Sequence, residues 1–215
     1  MAKIIIIQEM AYTKNMEERI QDFIESLKTR RKESKNEYNL SDVNKVVSDI
    51  LELFGYKDKE RYIPIIKIAN QFGFRTCQKI LPLDISGYIK VNGDTAKEFK
   101  KNQVIIVNKI DEVNHKRFVI AHELAHYLFD FLGNPKYDNE SIQYVDTYKK
   151  NEHSRLAEKI ANQFAAELLM PRDAFRKQYY KAKDFDNNPL FITLYLSQFF
   201  RTTEEAINKR ISEII

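Results

Sequence analysis

The chain has 215 residues, 43% of them hydrophobic and 31% charged, with 35 basic and 31 acidic side chains for a net charge of +4. That length suits one domain with at most an appendage, and the apolar fraction is enough for a packed core. The modest charge compels no nucleic-acid partner, and a single cysteine, Cys77, excludes an internal disulfide framework and suits a reducing compartment. No signal peptide or membrane span is visible. The run Ile4 to Ile7 is too short for either and polar residues follow at once, so the expected location is cytoplasmic, with no membrane partner.

Lys3 to Gln8 is rich in β-branched residues and reads as a short strand. Met16, Ile20, Phe23, Ile24 and Leu27 then mark an amphipathic helix. Its basic end, Lys28 to Lys35, lacks interleaved aromatics and reads as a solvated helix end running into a linker. Residues 1–38 thus form an expected N-terminal extension of strand plus basic helix. Ser41 is expected to cap a helix through Val46, Val47, Ile50, Leu51 and Phe54, stopped by Gly55. Pro64 opens another through Ile68, Ala69 and Phe72, stopped by Gly73. Three strands follow, around 74–80, 87–91 and 103–107, with a turn signal at Asn92-Gly93 and with Cys77 as a buried strand thiol.

The segment Arg117 to Asp130 carries the chemistry. His122 and His126 are one helical turn apart and share a face, so two neutral imidazoles can reach one metal ion, Zn²⁺ being the usual occupant. Glu123 sits about 100° around the helix from His122, placed to act on water at the metal. This is the H-E-x-x-H arrangement of zinc metalloproteases. Phe118, Val119, Ile120, Ala121, Leu124, Ala125, Leu128 and Phe129 surround it, so the helix belongs in the core, where metal coordination offsets the desolvation of His and Glu. A catalytic zinc needs a third protein ligand. Phe129 and Leu132 stand where the metzincin pattern requires Gly and His, which excludes that class. Asp130 continues the same helical row, but three turns of one straight helix do not converge easily on one ion.

The next helical pattern, Ser154 to Pro171, supplies the third ligand. Glu158 stands among Leu156, Ile160, Ala161, Phe164 and Ala165, and the small alanines allow close approach to the His helix. Asn162, one turn on, is a candidate partner for a ligand. Glu152, His153 and Glu167 are the competitors for the third position. Between the two helices, residues 133–150 read as a polar loop, in which Tyr137, Tyr144 or Tyr148, or nearby His153, could donate to an oxyanion. Pro189 opens a helix over 190–200, and Thr202 to Ala206 starts a capped helix through Ile211. This pair reads as a helical hairpin closing the core rather than a DNA-reading unit, because no base-reading side chains can be identified.

Arg117 to Leu128 followed by Glu158 to Pro171 closely resembles the ImmA/IrrE family of metallo-endopeptidases. That family's signatures read R-F-T-I-A-H-E-L-G-H and, later, E-x-x-A-N-x-F-A-A-x-L-L-M-P. Val119 replaces a common Thr and Ala125 a common Gly. The segments at 81–89 and 104–109 also look like the family's small sheet, and the resemblance covers roughly residues 60–172. It implies Zn²⁺ held by His122, His126 and Glu158, Glu123 as general base, and a helix-turn-helix repressor of a mobile element or stress response as the protein substrate. The expected fold is α+β: a mostly helical metalloprotease-like domain with a three-stranded sheet beside the H-E-x-x-H helix. Its expected divisions are 1–38, a metallopeptidase unit at 39–182 and a helical hairpin at 183–215. A sheet edge there could pair with an extended substrate backbone. The alternative reading is a metal-bound regulatory module that binds a repressor or DNA without cleaving it.

Overall fold

A computed structural model describes the backbone at residues 2–33, 39–57, 59, 61–135, 144–149 and 156–215, and the side chains of these residues outside 2–15 and 144–149. Helix α1 spans Ala2–Glu33. Lys3 to Gln8, expected as a strand, is therefore helical. β-propensity measures fit to a pleated surface that a neighbouring strand must supply, and among the described residues the β-strands pair only with one another; the backbone at Lys3 to Gln8 belongs to the same helix that buries Ile20, Phe23, Ile24 and Leu27 further on. The basic end of α1 is only partly solvated. Arg31 is buried and donates from Nη1 to the Phe129 carbonyl at 2.6 Å, while Arg30 pairs with Asp49 at 2.9 Å.

Helix α2 (Leu40–Leu53) starts on Asn39 rather than Ser41. The Asn39 side chain accepts from the Ser41 N–H at 2.8 Å, and Asp42 accepts from the Asn39 N–H at 2.9 Å, closing a capping box. The short α3 (Ile65–Gln71) begins after Pro64, and Gly73 follows it with φ +88°, the left-handed geometry that ends a helix.

The sheet holds the three expected strands, β1 (Arg75–Lys79), β2 (Ile85–Val91) and β3 (Gln103–Asn108), and a fourth, β4 (Tyr144–Lys149), inside the segment expected to be loop. The order is β1-β3-β2-β4, with β1 parallel to β3 and the other pairs antiparallel. Asn92 and Gly93 both have positive φ and turn the chain out of β2 into the short α4 (Thr95–Phe99) before β3 returns. β3 is buried from Val104 to Asn108, as an interior strand should be. At its end, buried Asn108 ties down the β1–β2 connection, donating from Nδ2 to the Ile85 carbonyl at 2.9 Å and accepting from the Leu81 N–H at 3.2 Å. Cys77, on β1, is half-buried rather than buried, because β1 lies at an edge of the described sheet.

Helix α5 (Val113–His126) packs on β2, β3, α3 and α6 (Leu156–Leu169). A helix covered on several sides must be apolar on several sides, which is why its sequence shows no clean amphipathic stripe. Gly87 in β2 is the point of closest approach: a Cβ there would lie 2.5 Å from Val119 Cγ1 and 2.8 Å from the Ile106 carbonyl oxygen. α5 ends in a π-helical turn, Tyr127–Phe131, closed by the Leu132 N–H donating to the Tyr127 carbonyl at 2.8 Å.

Three more helices follow α6: α7 (Arg172–Phe185), α8 (Pro189–Phe200) and α9 (Glu204–Ile214). Asn188 caps α8 and Thr203 caps α9. Leu196, Phe200 and Ile207 join the same core cluster as α5 and α6. Among the described residues no helix is long and apolar enough to cross a membrane.

Candidate metal centre

The site forms where α5 crosses α6. Helical spacing puts His122 and His126 on the α5 face that meets α6, and Glu158 lies in the first turn of α6. All three are buried, with exposures of 0%, 2% and 3%, and Glu123 beside them is at 0%. The His122 and His126 Nε2 atoms are 3.0 Å apart. The Glu158 carboxylate reaches both, with Oε2 at 3.3 Å from His122 Nε2 and Oε1 at 3.5 Å from His126 Nε2. A tetrahedral ion with bonds of 2.0–2.1 Å separates its ligands by about 3.3 Å, so these three spacings fit one ion.

The far side of each ring fixes which nitrogen faces inward. His122 Nδ1 is 3.1 Å from Asn162 Oδ1, and His126 Nδ1 is 2.6 Å from Asp130 Oδ2. An oxygen acceptor at each Nδ1 assigns the ring proton there and leaves both Nε2 lone pairs pointing at the Glu158 carboxylate. Electron pairs crowded in this way repel one another, and a cation among them converts the repulsion into bonding. Burial pushes the His122 imidazole below its ordinary pKa, with the Glu158 hydrogen bond opposing, which favours the neutral ring that metals bind. His122, His126 and Glu158 can therefore hold a metal ion, and among the described residues no other group of three does so.

Of the competitors for the third position, Glu167 is engaged elsewhere: Arg210 on α9 donates to both its carboxylate oxygens, from Nη1 at 2.9 Å and from Nη2. Glu152, His153 and Tyr137 lie outside the described residues, as do the side chains of Tyr144 and Tyr148. Asp130 enters the site in a way the sequence reading did not assign. It holds the back of His126 rather than a place in the ligand set. The signal was available in the His-x-x-x-Asp spacing, since residues four apart on a helix meet. Gly87, which lets α5 sit close on the sheet, was visible only as a glycine inside a strand pattern.

Residues 80–212 match the family described as the peptidases with an IrrE N-terminal-like domain, a span that contains both helices of the site. Comparison with curated proteins gives no match.

Proposed function

Since the chain belongs to the IrrE N-terminal-like family of metallopeptidases, we propose that it is a zinc-dependent endopeptidase in which His122, His126 and Glu158 bind the metal. The observation that carries this reading is the convergence of two Nε2 atoms and one carboxylate at 3.0–3.5 Å inside the core. Three protein donors are the number used by catalytic zinc sites, whereas structural sites close with four. When bound, Zn²⁺ supplies Lewis acidity at a peptide carbonyl and brings the pKa of water toward neutrality.

The chain's own groups do the rest. Glu123 accepts the proton of the attacking water and returns it to the leaving amine. Asn162 and Asp130 keep each imidazole in the tautomer that points Nε2 inward. Burial of all four groups excludes bulk water and strengthens each of these interactions. The proposed substrate is a helix-turn-helix repressor. Support for that choice is the likeness of the two motif helices to ImmA/IrrE metallo-endopeptidases.

The test is a gel assay on a helix-turn-helix repressor from the same genome, combined with metal analysis. Zinc-loaded protein is expected to make one defined cut that a chelator abolishes. Glu123→Gln should keep one metal ion per chain and cut at least about 100-fold more slowly, the size of a lost general base. Purified protein that retains no divalent ion removes the metal assignment. Wild-type cleavage by the Gln variant removes the role given to Glu123.

A further inference from the structure

Behind the metal centre a groove of about 680 Å³ runs along the outer face of α6 from Lys159 to Met170, walled by the first turns of α5 and by α9. Those twelve positions are eleven helical steps, a rise of about 16 Å, and the volume falls within the range that small ligands fill. The floor is apolar: Leu40, Phe118, Ala166, Met170 and Ala206 line it.

The charges around it are unequal. Glu167 is chelated by Arg210 and lies 3.6 Å from Arg172, and Glu213 is 3.6 Å from Arg210. Lys159 and Lys209 have no acidic partner among the described residues, and of the lining acids Glu205 alone stands against them. The groove therefore offers an apolar bed with surplus positive charge at its rim. One wall includes Asn162, the residue whose Oδ1 accepts from His122 Nδ1.

We infer that this groove is a binding site for a small amphiphilic anion, an apolar body with a carboxylate, sulfonate or phosphate head between Lys159 and Lys209. Its occupant packs against the amide that fixes the His122 ring. Ligand and metal affinities are then linked, and by equal factors in each direction. The linkage rests on the metal assignment above; the groove itself does not.

The probe is 8-anilinonaphthalene-1-sulfonate, which has the required shape and charge, titrated by fluorescence into the metal-free protein. One molecule per chain is expected to bind. Lys159→Glu/Lys209→Glu should weaken it at least tenfold, and Ala166→Trp, which fills the bed, should abolish it, with circular dichroism reporting that each variant is folded. If Ala166→Trp does not fold, the charge-reversal pair decides. A Phe185→Ser/Leu190→Ser variant removes exposed apolar side chains on α7 and α8 and should leave binding unchanged. Wild-type affinity in the charge-reversal pair, or loss of binding in the Phe185/Leu190 variant, overturns the site. Saturating Zn²⁺ should shift the probe's Kd at least threefold, and an unchanged Kd in protein shown to hold zinc overturns the linkage.

Discussion

His122 and His126 occupy equivalent places on one helix, yet their supports differ: a neutral amide from Asn162 behind one ring, a carboxylate from Asp130 behind the other. A carboxylate partner raises the basicity of the ligating nitrogen more than an amide does. Asp130→Asn should therefore weaken zinc binding by about 10–100-fold, measured by competition with a chromophoric chelator, with partial recovery in Asp130→Glu. Unchanged affinity would reduce Asp130 to a surface group that happens to lie nearby. The pH dependence follows from His122. Because burial holds its pKa down, the neutral ring persists below the ordinary value of 6.5, and proton competition for the metal begins only at lower pH. In equilibrium dialysis, half-loss of metal is expected below pH 6.5; half-loss well above it would contradict this account. The residues themselves were legible in the sequence through spacing: His122, Glu123 and His126 in one turn, then Glu158 and Asn162 one turn apart. Which ring nitrogen faces what was not legible, because spacing fixes a helix face and not the rotation of an imidazole.

Helix α5 shows how an element's sequence reflects what surrounds it. Residues Val119 to Ala125 are buried without interruption, since the sheet lies on one side and α6 on another. Gly87 sets how close the sheet can come. Gly87→Ala should cost about 1–3 kcal/mol in denaturant unfolding, because the new methyl meets a side chain that can turn and a main-chain oxygen that cannot. Adding Val119→Ala should recover only part of that loss; full recovery would mean that the Ile106 carbonyl shifts freely. At the C-terminal end of α5, Arg31 from α1 donates to the Phe129 carbonyl within the π-helical turn, compensating carbonyls that a regular helix end would leave to solvent. The same side chain belonged to a run that composition alone marks as a solvated basic end. The strand expected at Lys3 to Gln8 failed for a related reason. β-branched residues report a preference that a neighbouring strand must satisfy, and α1 continues through them instead. β4 was missed in the opposite sense, its six residues being read as loop within a longer polar stretch.

Across the molecule, a buried ion pair ties α9 to α6, in addition to the shared core. Arg210 on α9 grips Glu167 near the end of α6 and also donates to the Met170 carbonyl at 3.0 Å. Removing one partner of such a pair leaves the other charge buried, a loss of about 3–5 kcal/mol. Glu167→Ala should show that loss in denaturant unfolding, while Glu167→Leu/Arg210→Met, which removes both charges, should be milder. Equal losses in the single and double variants would show that packing, not charge, is what the pair contributes.

The sequence by itself marked His122, Glu123 and His126 as a candidate metal-binding turn, and marked the helices that carry the candidate site, because ligand spacing and apolar periodicity are local properties of the chain. It could mark Glu158 for the site, but a gap of more than thirty residues between motifs says nothing about how two helices cross. The crossing of α5 on α6, the close seat of α5 over Gly87 and the capture of Glu167 by Arg210 were decided by tertiary packing. Each depends on which surfaces meet, and that is set by burying all of the core at once rather than by any one segment.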